Sequence, residues 1–156
     1  MTESVDRSLR RYLVLCTGNR CRSQMAHGWL AHLGGDAVEV SSAGTQPKGV
    51  HPLSVEVMAE AGVDISRYTS DHVDRYADDA FDAVITVCDS AKEACPVFPG
   101  AARTVHRAFD DPDDKTGTLG RAELLPTFRR VRDEIRGWAE AFLAEQAVLR
   151  STAIQR

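Results

Sequence analysis

Short apolar segments alternate with amphipathic segments along the whole chain. Four segments have the apolar or alternating pattern of β-strands, and they are residues 12–16, 37–42, 81–87 and 103–108. Three longer segments carry apolar residues at the spacing that is typical of helices, and they are residues 23–33, 52–61 and 128–142. Residues 70–77 predict a further short helix, and Pro126 leaves the start of the last helix open.

This order of elements predicts an α/β fold. Strands that alternate with helices form parallel sheets, so we expect a four-stranded parallel sheet flanked by helices in three layers. A length of 156 residues fits one domain. We expect that domain to span residues 11–149, between polar tails at residues 1–10 and 150–156.

Composition and charge exclude several classes of protein. With 43% hydrophobic and 27% charged residues, the chain resembles ordinary globular proteins rather than disordered or fibrous ones. No apolar run approaches the ~18 residues of a membrane span, and the N-terminal apolar stretch is too short for a signal peptide. A net charge of −4 argues against nucleic acid as a partner. We expect a cytoplasmic monomer that binds neither membranes nor nucleic acid.

The cysteines are the first candidates for chemistry, and they are Cys16, Cys21, Cys88 and Cys95. In a reducing compartment, cysteines are more often catalytic, redox-active or metal-binding than structural. Cys16 and Cys88 each end a predicted strand. Because ligands of parallel sheets bind beyond the carboxyl ends of the strands, the sequence predicts that these two cysteines share one rim.

Residues 16–23 join the first predicted strand to the first predicted helix, and we call them the anion loop. A tight loop at this place can turn successive backbone N–H groups toward an oxyanion at the helix N-terminus. Gly18 and Asn19 tolerate the left-handed conformation that such a loop needs. The guanidinium of Arg22 can bind two oxygens of the anion, and the positive field favours the thiolate of Cys16, which is the nucleophile.

The loop therefore supplies a complete set of candidate site residues. The candidate oxyanion-binding residues are Thr17, Gly18, Asn19, Arg20, Cys21, Arg22 and Ser23. The spacing of Cys16 and Arg22 alone also fits a buried cysteine and an arginine on a solvated helix face. The order of strand, loop and helix favours the anion site.

Cys88 and Cys95 form a second candidate pair, seven positions apart. Two helical turns would separate them by ~10.5 Å along the axis, whereas a disulfide needs Cα atoms about 4.4–6.8 Å apart. A bond between them would require the intervening segment to deform, which favours a redox switch. A permanent structural disulfide and a zinc site are the alternatives, although the spacing does not match the usual zinc pairs.

Several motifs together resemble one known superfamily. They are the segments 16–30, 41–45, 49–52, 64–66, 69–74, 88–100, 109–112 and 128–135. The chain resembles the low-molecular-weight tyrosine phosphatases over nearly its whole length, from Tyr12 to about Phe142. Within that superfamily it is most similar to the thioredoxin-coupled arsenate reductases. The resemblance implies the phosphatase-like version of the α/β fold.

The resemblance also implies a relay of three cysteines. Cys16 would attack arsenate, Cys88 would attack Cys16 and release arsenite, and Cys95 would then attack Cys88. The resulting Cys88–Cys95 disulfide would be reduced by thioredoxin, and no bound cofactor is needed. The implied function is arsenic detoxification, and Cys21 stands outside the relay.

The motif Asp110-Asp111-Pro112 supplies the candidate acid. In the related phosphatases, the Asp before Pro protonates the leaving oxygen, so the resemblance assigns general acid/base catalysis to Asp111. Asp113 and Asp114 follow as a solvated loop, where phosphotyrosine phosphatases carry aromatic residues. This favours arsenate over the rival substrate, phosphotyrosine, although a weak phosphatase side activity is expected. A non-enzymatic redox or anion sensor is the second rival.

A potassium site is a last implication of the resemblance, and one residue departs from it. The residues that match the potassium ligands of some thioredoxin-coupled reductases are Asn19, Ser42, Thr69 and Asp71, but His27 stands where that site has a glutamate. An imidazole is a poor ligand for a hard alkali cation, which prefers oxygen. The sequence therefore argues against activation by potassium.

Overall fold

The structure is a computed structural model that describes residues 9–89 and 97–154, with side chains described as far as residue 147. Its strands are β1 (Arg10–Cys16), β2 (Val38–Gly44), β3 (Ala83–Thr86) and β4 (Thr104–His106). Its α-helices are α1 (Arg22–Gly34), α2 (Pro52–Glu60) and α3 (Arg121–Ile154), and short 3₁₀ turns occupy Gly35–Ala37 and Val73–Tyr76. None of the helices in this described part is long and apolar enough to cross a membrane.

The four strands form one parallel sheet in the order β2-β1-β3-β4. β1 lies inside the sheet, where Leu13 pairs with Ser41 of β2 and with Val84 of β3. The predicted α/β fold with a four-stranded parallel sheet is confirmed. The position of β1 explains why residues 12–16 are apolar throughout, since a strand that is covered on both faces needs no polar face.

Alternate residues of β1 belong to two separate cores. Tyr12, Val14 and Cys16 lie in the larger core, to which all three α-helices contribute. Leu13 and Leu15 lie in the smaller core on the opposite face of the sheet. Described residues that pack against this smaller core include Val73, Tyr76, Phe98 and Ala101. Cys16 is thus the last residue of a strand that is held from both sides.

The last helix begins earlier than the apolar pattern indicates. It starts at Arg121, and the backbone N–H of Gly120 donates to Oε1 of Glu123 at 2.9 Å, which caps the N-terminus. Pro126 lies within the first two turns, where it removes one hydrogen bond without ending the helix. The helix predicted over residues 70–77 is reduced to the second 3₁₀ turn.

Candidate active site

The anion loop lies at the carboxyl edge of the sheet. Cys16 is the last residue of β1, and Arg22 is the first residue of α1. Cys88 follows shortly after β3, the strand next to β1. Both cysteines are buried, with exposed fractions of 2% and 0%. Parallel pairing of β1 with β3 therefore brings both residues to the same edge.

The backbone carbonyl groups of the anion loop are held from outside the loop. The bonds run from Gln46 N to Thr17 O (2.9 Å), Lys48 N to Gly18 O (3.0 Å), Ser70 Oγ to Asn19 O (2.8 Å) and His51 N to Arg20 O (3.1 Å). In a planar trans peptide, the next N–H points opposite to the carbonyl. The N–H groups of residues 18–21 therefore turn toward the inside of the loop, where an oxyanion can accept from them.

Asn19 shapes the loop. Its φ of 47° lies in the left-handed region. Of the two residues that the sequence offers for this conformation, Asn19 adopts it and Gly18 does not. Its buried side chain donates from Nδ2 to Ser23 Oγ at 2.8 Å and accepts at Oδ1 from the backbone N–H of Asp71 at 2.9 Å. Both ends of the amide are engaged, which fixes the turn from within.

The sulfur of Cys16 is in contact with the first turn of α1. Sγ of Cys16 donates to Oγ of Ser23, with 3.0 Å between the two atoms. When Cys16 loses its proton, the hydroxyl of Ser23 can donate to the thiolate across the same contact. Because Ser23 also accepts from Asn19, its hydroxyl is held in place for that role.

Arg22 and Asp111 meet above the loop. Arg22 is buried, with 4% of the residue exposed, and its Nη1 donates to the carbonyl of Phe109 at 3.4 Å. Its Nη2 lies 3.4 Å from Oδ2 of Asp111, which also lies 3.6 Å from Nζ of Lys115. Oδ1 of Asp111 accepts from the backbone N–H of Asp113 at 3.1 Å. The oxygen that faces Arg22 is therefore Oδ2.

These groups surround a cavity of about 60 Å³. Its lining includes four cationic side chains and two carboxylates, namely Arg20, Arg22, Lys48, Lys115, Asp111 and Asp113. Cys16, Thr17, Gly18 and Cys21 complete the lining. The volume accommodates several water-sized groups, which suits a small tetrahedral oxyanion. The cavity is locally positive in a chain whose net charge is −4.

The described cysteines differ in state. Cys16 and Cys21 are free, whereas Cys88 is disulfide-bonded. Burial raises the pKa of the Cys21 thiol far above its usual value, and the carboxylates of Asp111 and Asp113 act in the same direction. Cys21 is therefore a neutral, buried thiol in the wall of the pocket. Cys95 lies outside the described residues.

The residues that match potassium ligands are engaged with other partners. Nδ1 of His27 lies 2.9 Å from Oγ of Ser42, and burial lowers the pKa of His27 to about 4. Thr69 donates to the carboxylate of Asp71 at 3.1 Å, and Arg75 Nη1 lies 3.5 Å from the same carboxylate. An imidazole and a guanidinium do not fit a potassium ion. The described residues also contain no group of three or more His, Cys, Asp or Glu side chains that could hold a metal ion.

Gly44 is a site residue that the sequence does not single out. A Cβ at this position would lie 2.5 Å from the carbonyl oxygen of Thr17, 2.8 Å from that of Cys16 and 3.0 Å from the backbone nitrogen of Asn19. Only glycine lets β2 approach the back of the anion loop this closely. A glycine at the end of a strand is too common to reveal such a contact by itself.

Asp113 is also part of the site, and its prediction as a solvated loop residue is wrong. Its carboxylate lies 2.9 Å from Nε of Arg20 and 3.3 Å from Nε2 of His51. These partners are distant in the sequence, and so no local pattern reveals the contact. Asp114, by contrast, bonds to Thr116 within its own loop.

Comparison with known proteins agrees with this geometry. A family model described as low molecular weight phosphotyrosine protein phosphatase matches residues 11–152. The chain is 48% identical over 121 residues to the arsenate reductase of Halalkalibacterium halodurans. The aligned region covers 78% of this chain and 86% of that protein. It is 46% identical over 121 residues to the arsenate reductase of Bacillus subtilis, with the same two coverages.

Solved structures give the same result. A thioredoxin-dependent arsenate reductase of Corynebacterium glutamicum has a TM-score of 0.70 at 28% identity, over 94% of this chain and 66% of that one. An arsenate reductase in its phosphate-binding state has a TM-score of 0.68 at 31% identity, over 87% of this chain and 98% of that one. The chain therefore belongs to the low molecular weight phosphotyrosine protein phosphatase family, on the branch whose curated members are named arsenate reductases.

Proposed function

We propose that this protein reduces arsenate to arsenite through a relay of Cys16, Cys88 and Cys95. The observation that carries the proposal is that two buried cysteines, Cys16 in the anion loop and a disulfide-bonded Cys88, lie at the carboxyl ends of adjacent parallel strands. An oxyanion pocket with one cysteine serves a phosphatase equally well. A redox-active cysteine at the same edge serves only a reaction that moves electrons.

In the first step, arsenate binds to the inward N–H groups of the anion loop and to Arg22. The sulfur of Cys16 attacks arsenic, a sulfur–arsenic bond forms, and one oxygen leaves as water. Asp111 supplies the proton for that oxygen from Oδ2, because its Oδ1 already accepts from the Asp113 amide. Arsenic remains pentavalent at this stage.

In the second step, the sulfur of Cys88 attacks the sulfur of Cys16. The sulfur–arsenic bond breaks, and its electron pair stays with arsenic, which leaves as trivalent arsenite with the proton of the Cys88 thiol. A Cys16–Cys88 disulfide forms. Cys95 then attacks Cys88, which frees Cys16 as a thiol and leaves a Cys88–Cys95 disulfide.

A dithiol protein must reduce that disulfide before the next cycle. We assign this role to thioredoxin, and the similarity to the thioredoxin-dependent enzyme of Corynebacterium glutamicum supports the assignment. The free state of Cys16 and Cys21 beside a bonded Cys88 is the pattern expected at the end of such a cycle. The biological outcome would be arsenic detoxification in the cytoplasm, with no bound cofactor.

The lining of the pocket favours an inorganic substrate over phosphotyrosine. The rim carries the charged side chains of Lys48, Asp113 and Lys115. A phenyl ring would have to replace the hydration of these groups without a hydrogen bond in return, which is unfavourable. We expect weak hydrolysis of phosphate esters as a side activity.

The test is arsenate-dependent oxidation of NADPH in the presence of thioredoxin and thioredoxin reductase. Wild type should consume NADPH for many turnovers, and Cys88→Ser should consume none. The matched control is Cys21→Ser, which should retain most of the rate because Cys21 is not in the relay. Each variant is also assayed for hydrolysis of para-nitrophenyl phosphate.

Each rival function has its own outcome in this assay. Hydrolysis that outpaces reduction, and that Cys88→Ser leaves intact, would identify a phosphatase. A single oxidation of the cysteines by arsenate, without further turnover when thioredoxin is present, would identify a sensor. Loss of reduction in Cys21→Ser while hydrolysis of para-nitrophenyl phosphate is retained would mean that the pocket is intact and that the relay uses Cys21.

A further inference from the structure

Three side chains from distant segments meet at the rim of the pocket. They are Arg20 of the anion loop, His51 immediately before α2, and Asp113 of residues 107–120, which we call the acid loop. Nε of Arg20 donates to Oδ2 of Asp113 at 2.9 Å, and Nε2 of His51 lies 3.3 Å from Oδ1. Each carboxylate oxygen of Asp113 therefore has a partner on a different segment.

The local bonds of His51 determine which of its nitrogens carries the proton. Nδ1 of His51 accepts from the backbone N–H of Leu53 at 3.0 Å, which caps the N-terminus of α2. The proton of the neutral ring must then be on Nε2, which donates to Asp113. Burial lowers the pKa of His51, with the charge of Arg20 acting in the same direction, and this agrees with a neutral ring.

Arg20 is held at both its backbone and its side chain. Its carbonyl accepts from the backbone N–H of His51 at 3.1 Å. Its Nη1 donates to the carbonyls of Lys48 and Gly49, at 3.3 Å each. The guanidinium is thus fixed between the anion loop, the segment before α2 and the acid loop.

Asp113 is linked directly to the candidate acid. Its backbone N–H donates to Oδ1 of Asp111, so the position of Asp113 determines the orientation of the Asp111 carboxylate. Oδ2 of Asp111 then faces Arg22 at 3.4 Å. A displacement of Asp113 would remove the bond that keeps Oδ2 toward the pocket.

We propose that Arg20, His51 and Asp113 form a rim clamp that positions Asp111 over the bound oxyanion, with Asp113 as a positioning residue. The proposal adds positioning residues to the proposed arsenate reductase reaction. Its kinetic predictions therefore rest on that proposed function. Partly exposed ion pairs add little to the free energy of unfolding. The clamp therefore acts by fixing the position of the Asp111 carboxylate. Small misplacements of a reacting group reduce rates strongly.

Two variants open the clamp without removing Asp111. Asp113→Asn keeps the shape of the side chain but presents an amide N–H₂ to one of its two donor partners. His51→Asn keeps a side-chain oxygen to cap α2 but loses the bond from Nε2 to Asp113. The matched control is Asp114→Asn, which disturbs bonds to Thr116 within the same loop and touches neither Arg20 nor His51.

The kinetic arm measures arsenite release in a single turnover at several arsenate concentrations. Asp113→Asn and His51→Asn should each lower the maximal rate about tenfold, and half-saturation should shift less than about twofold. Asp111→Asn should lower the maximal rate by a smaller factor in the Asp113→Asn background than in wild type, because the clamp acts through Asp111. Equal slowing by Asp114→Asn, or full additivity with Asp111→Asn, would overturn the proposal.

The second arm is independent of arsenate. The protection of the backbone amide at position 113 against hydrogen exchange, relative to its intrinsic rate, should fall in Asp113→Asn and His51→Asn but not in Asp114→Asn. The reason is that the clamp maintains the bond from this amide to Asp111. Unchanged exchange in both clamp variants would refute the clamp even if arsenate is reduced. Faster exchange in an enzyme that does not reduce arsenate would uphold the clamp and refute the reductase function instead.

Discussion

The anion loop and the acid loop line the same pocket, yet different kinds of contact hold them. The carbonyls of residues 17–20 each accept a hydrogen bond from another segment, and Asn19 is fully buried. In the acid loop, Phe109 and Pro112 are buried, but residues 115–120 are exposed. Backbone hydrogen bonds from Arg107 and Phe109 hold only the start of the acid loop, whereas ion pairs between side chains tie Asp111 and Asp113 to the rim.

This difference indicates how the two loops behave. Leaving a buried backbone group unpaired costs about 1–3 kcal/mol, whereas a partly exposed ion pair contributes only about 0–1 kcal/mol. The anion loop is therefore preformed, and it can stabilise charge without rearranging. The part of the acid loop that follows Phe109 can open at low cost, so that its geometry depends on a few side chains.

Replacing the nucleophile should have the largest effect. Cys16→Ser should abolish reduction, because a serine hydroxyl provides no comparable anion at neutral pH. Arg22→Lys should also lower the rate of reduction strongly, since an ammonium group cannot bind two oxygens as a planar guanidinium does. Multiple-turnover rates with thioredoxin test both variants. A rate within a few-fold of wild type for either variant would contradict the assigned site.

Asp111→Asn tests the acid loop at its functional residue. We expect the maximal single-turnover rate to fall about 10²-fold, with a smaller change in the arsenate concentration at half-saturation, because the lost function is proton transfer. Rates measured over a series of arsenate concentrations separate the two effects. An unchanged maximal rate with a raised arsenate requirement would mean that Asp111 only positions or repels the substrate.

Gly44→Ala tests the rigidity of the anion loop from behind. The added Cβ would lie 2.5 Å from the carbonyl oxygen of Thr17, so the loop or β2 must shift. We expect a loss of about 1–3 kcal/mol in the free energy of unfolding and a fall in the rate of arsenite release. Urea unfolding and single-turnover assays measure the two effects.

Gly137→Ala is the matched control for that substitution. A Cβ at Gly137 meets nothing within 4 Å, and the residue lies inside α3. Alanine favours helix over glycine, so this variant should be as stable as wild type or slightly more stable. Equal losses in Gly44→Ala and Gly137→Ala would show that the close approach behind the loop is unimportant.

The free energy of unfolding should depend on pH through His27, which lies 2.9 Å from Ser42 of β2. Burial lowers the pKa of His27 from 6.5 to about 4. The unfolded chain therefore binds a proton that the folded protein excludes, and stability that is present above pH 6.5 is lost as the pH falls toward 4. A shift of this size corresponds to about 3 kcal/mol.

His27→Gln should flatten this pH dependence, since glutamine can still bond to Ser42 but does not titrate. Urea unfolding at pH 7 and at pH 4.5 makes the comparison. His32→Gln, at an exposed position of the same helix, is the control and should keep the wild-type slope. An equally steep slope in His27→Gln would assign the effect to other groups, such as His51.

The sheet and the anion loop could be predicted because their signals are local. The apolar run of residues 12–16 predicts β1, and the topology of parallel strands then places Cys16 and Cys88 at one edge. The rim clamp could not be predicted, because Arg20 and Asp113 are 93 positions apart and meet only once the sheet has formed. Gly44 was missed for the same reason, since its steric role depends on how β2 lies against the loop.

The central claim is that electrons pass from Cys95 through Cys88 and Cys16 to arsenic, so that the oxidation ends as a Cys88–Cys95 disulfide. The most direct test is the amount of arsenite that Cys95→Ser releases from arsenate in one turnover, followed by peptide mapping of the trapped disulfide. The account predicts one arsenite per enzyme and a Cys16–Cys88 disulfide, because Cys88 alone can resolve the arsenic adduct. A trapped disulfide that contains Cys21, or continued turnover with thioredoxin, would contradict it.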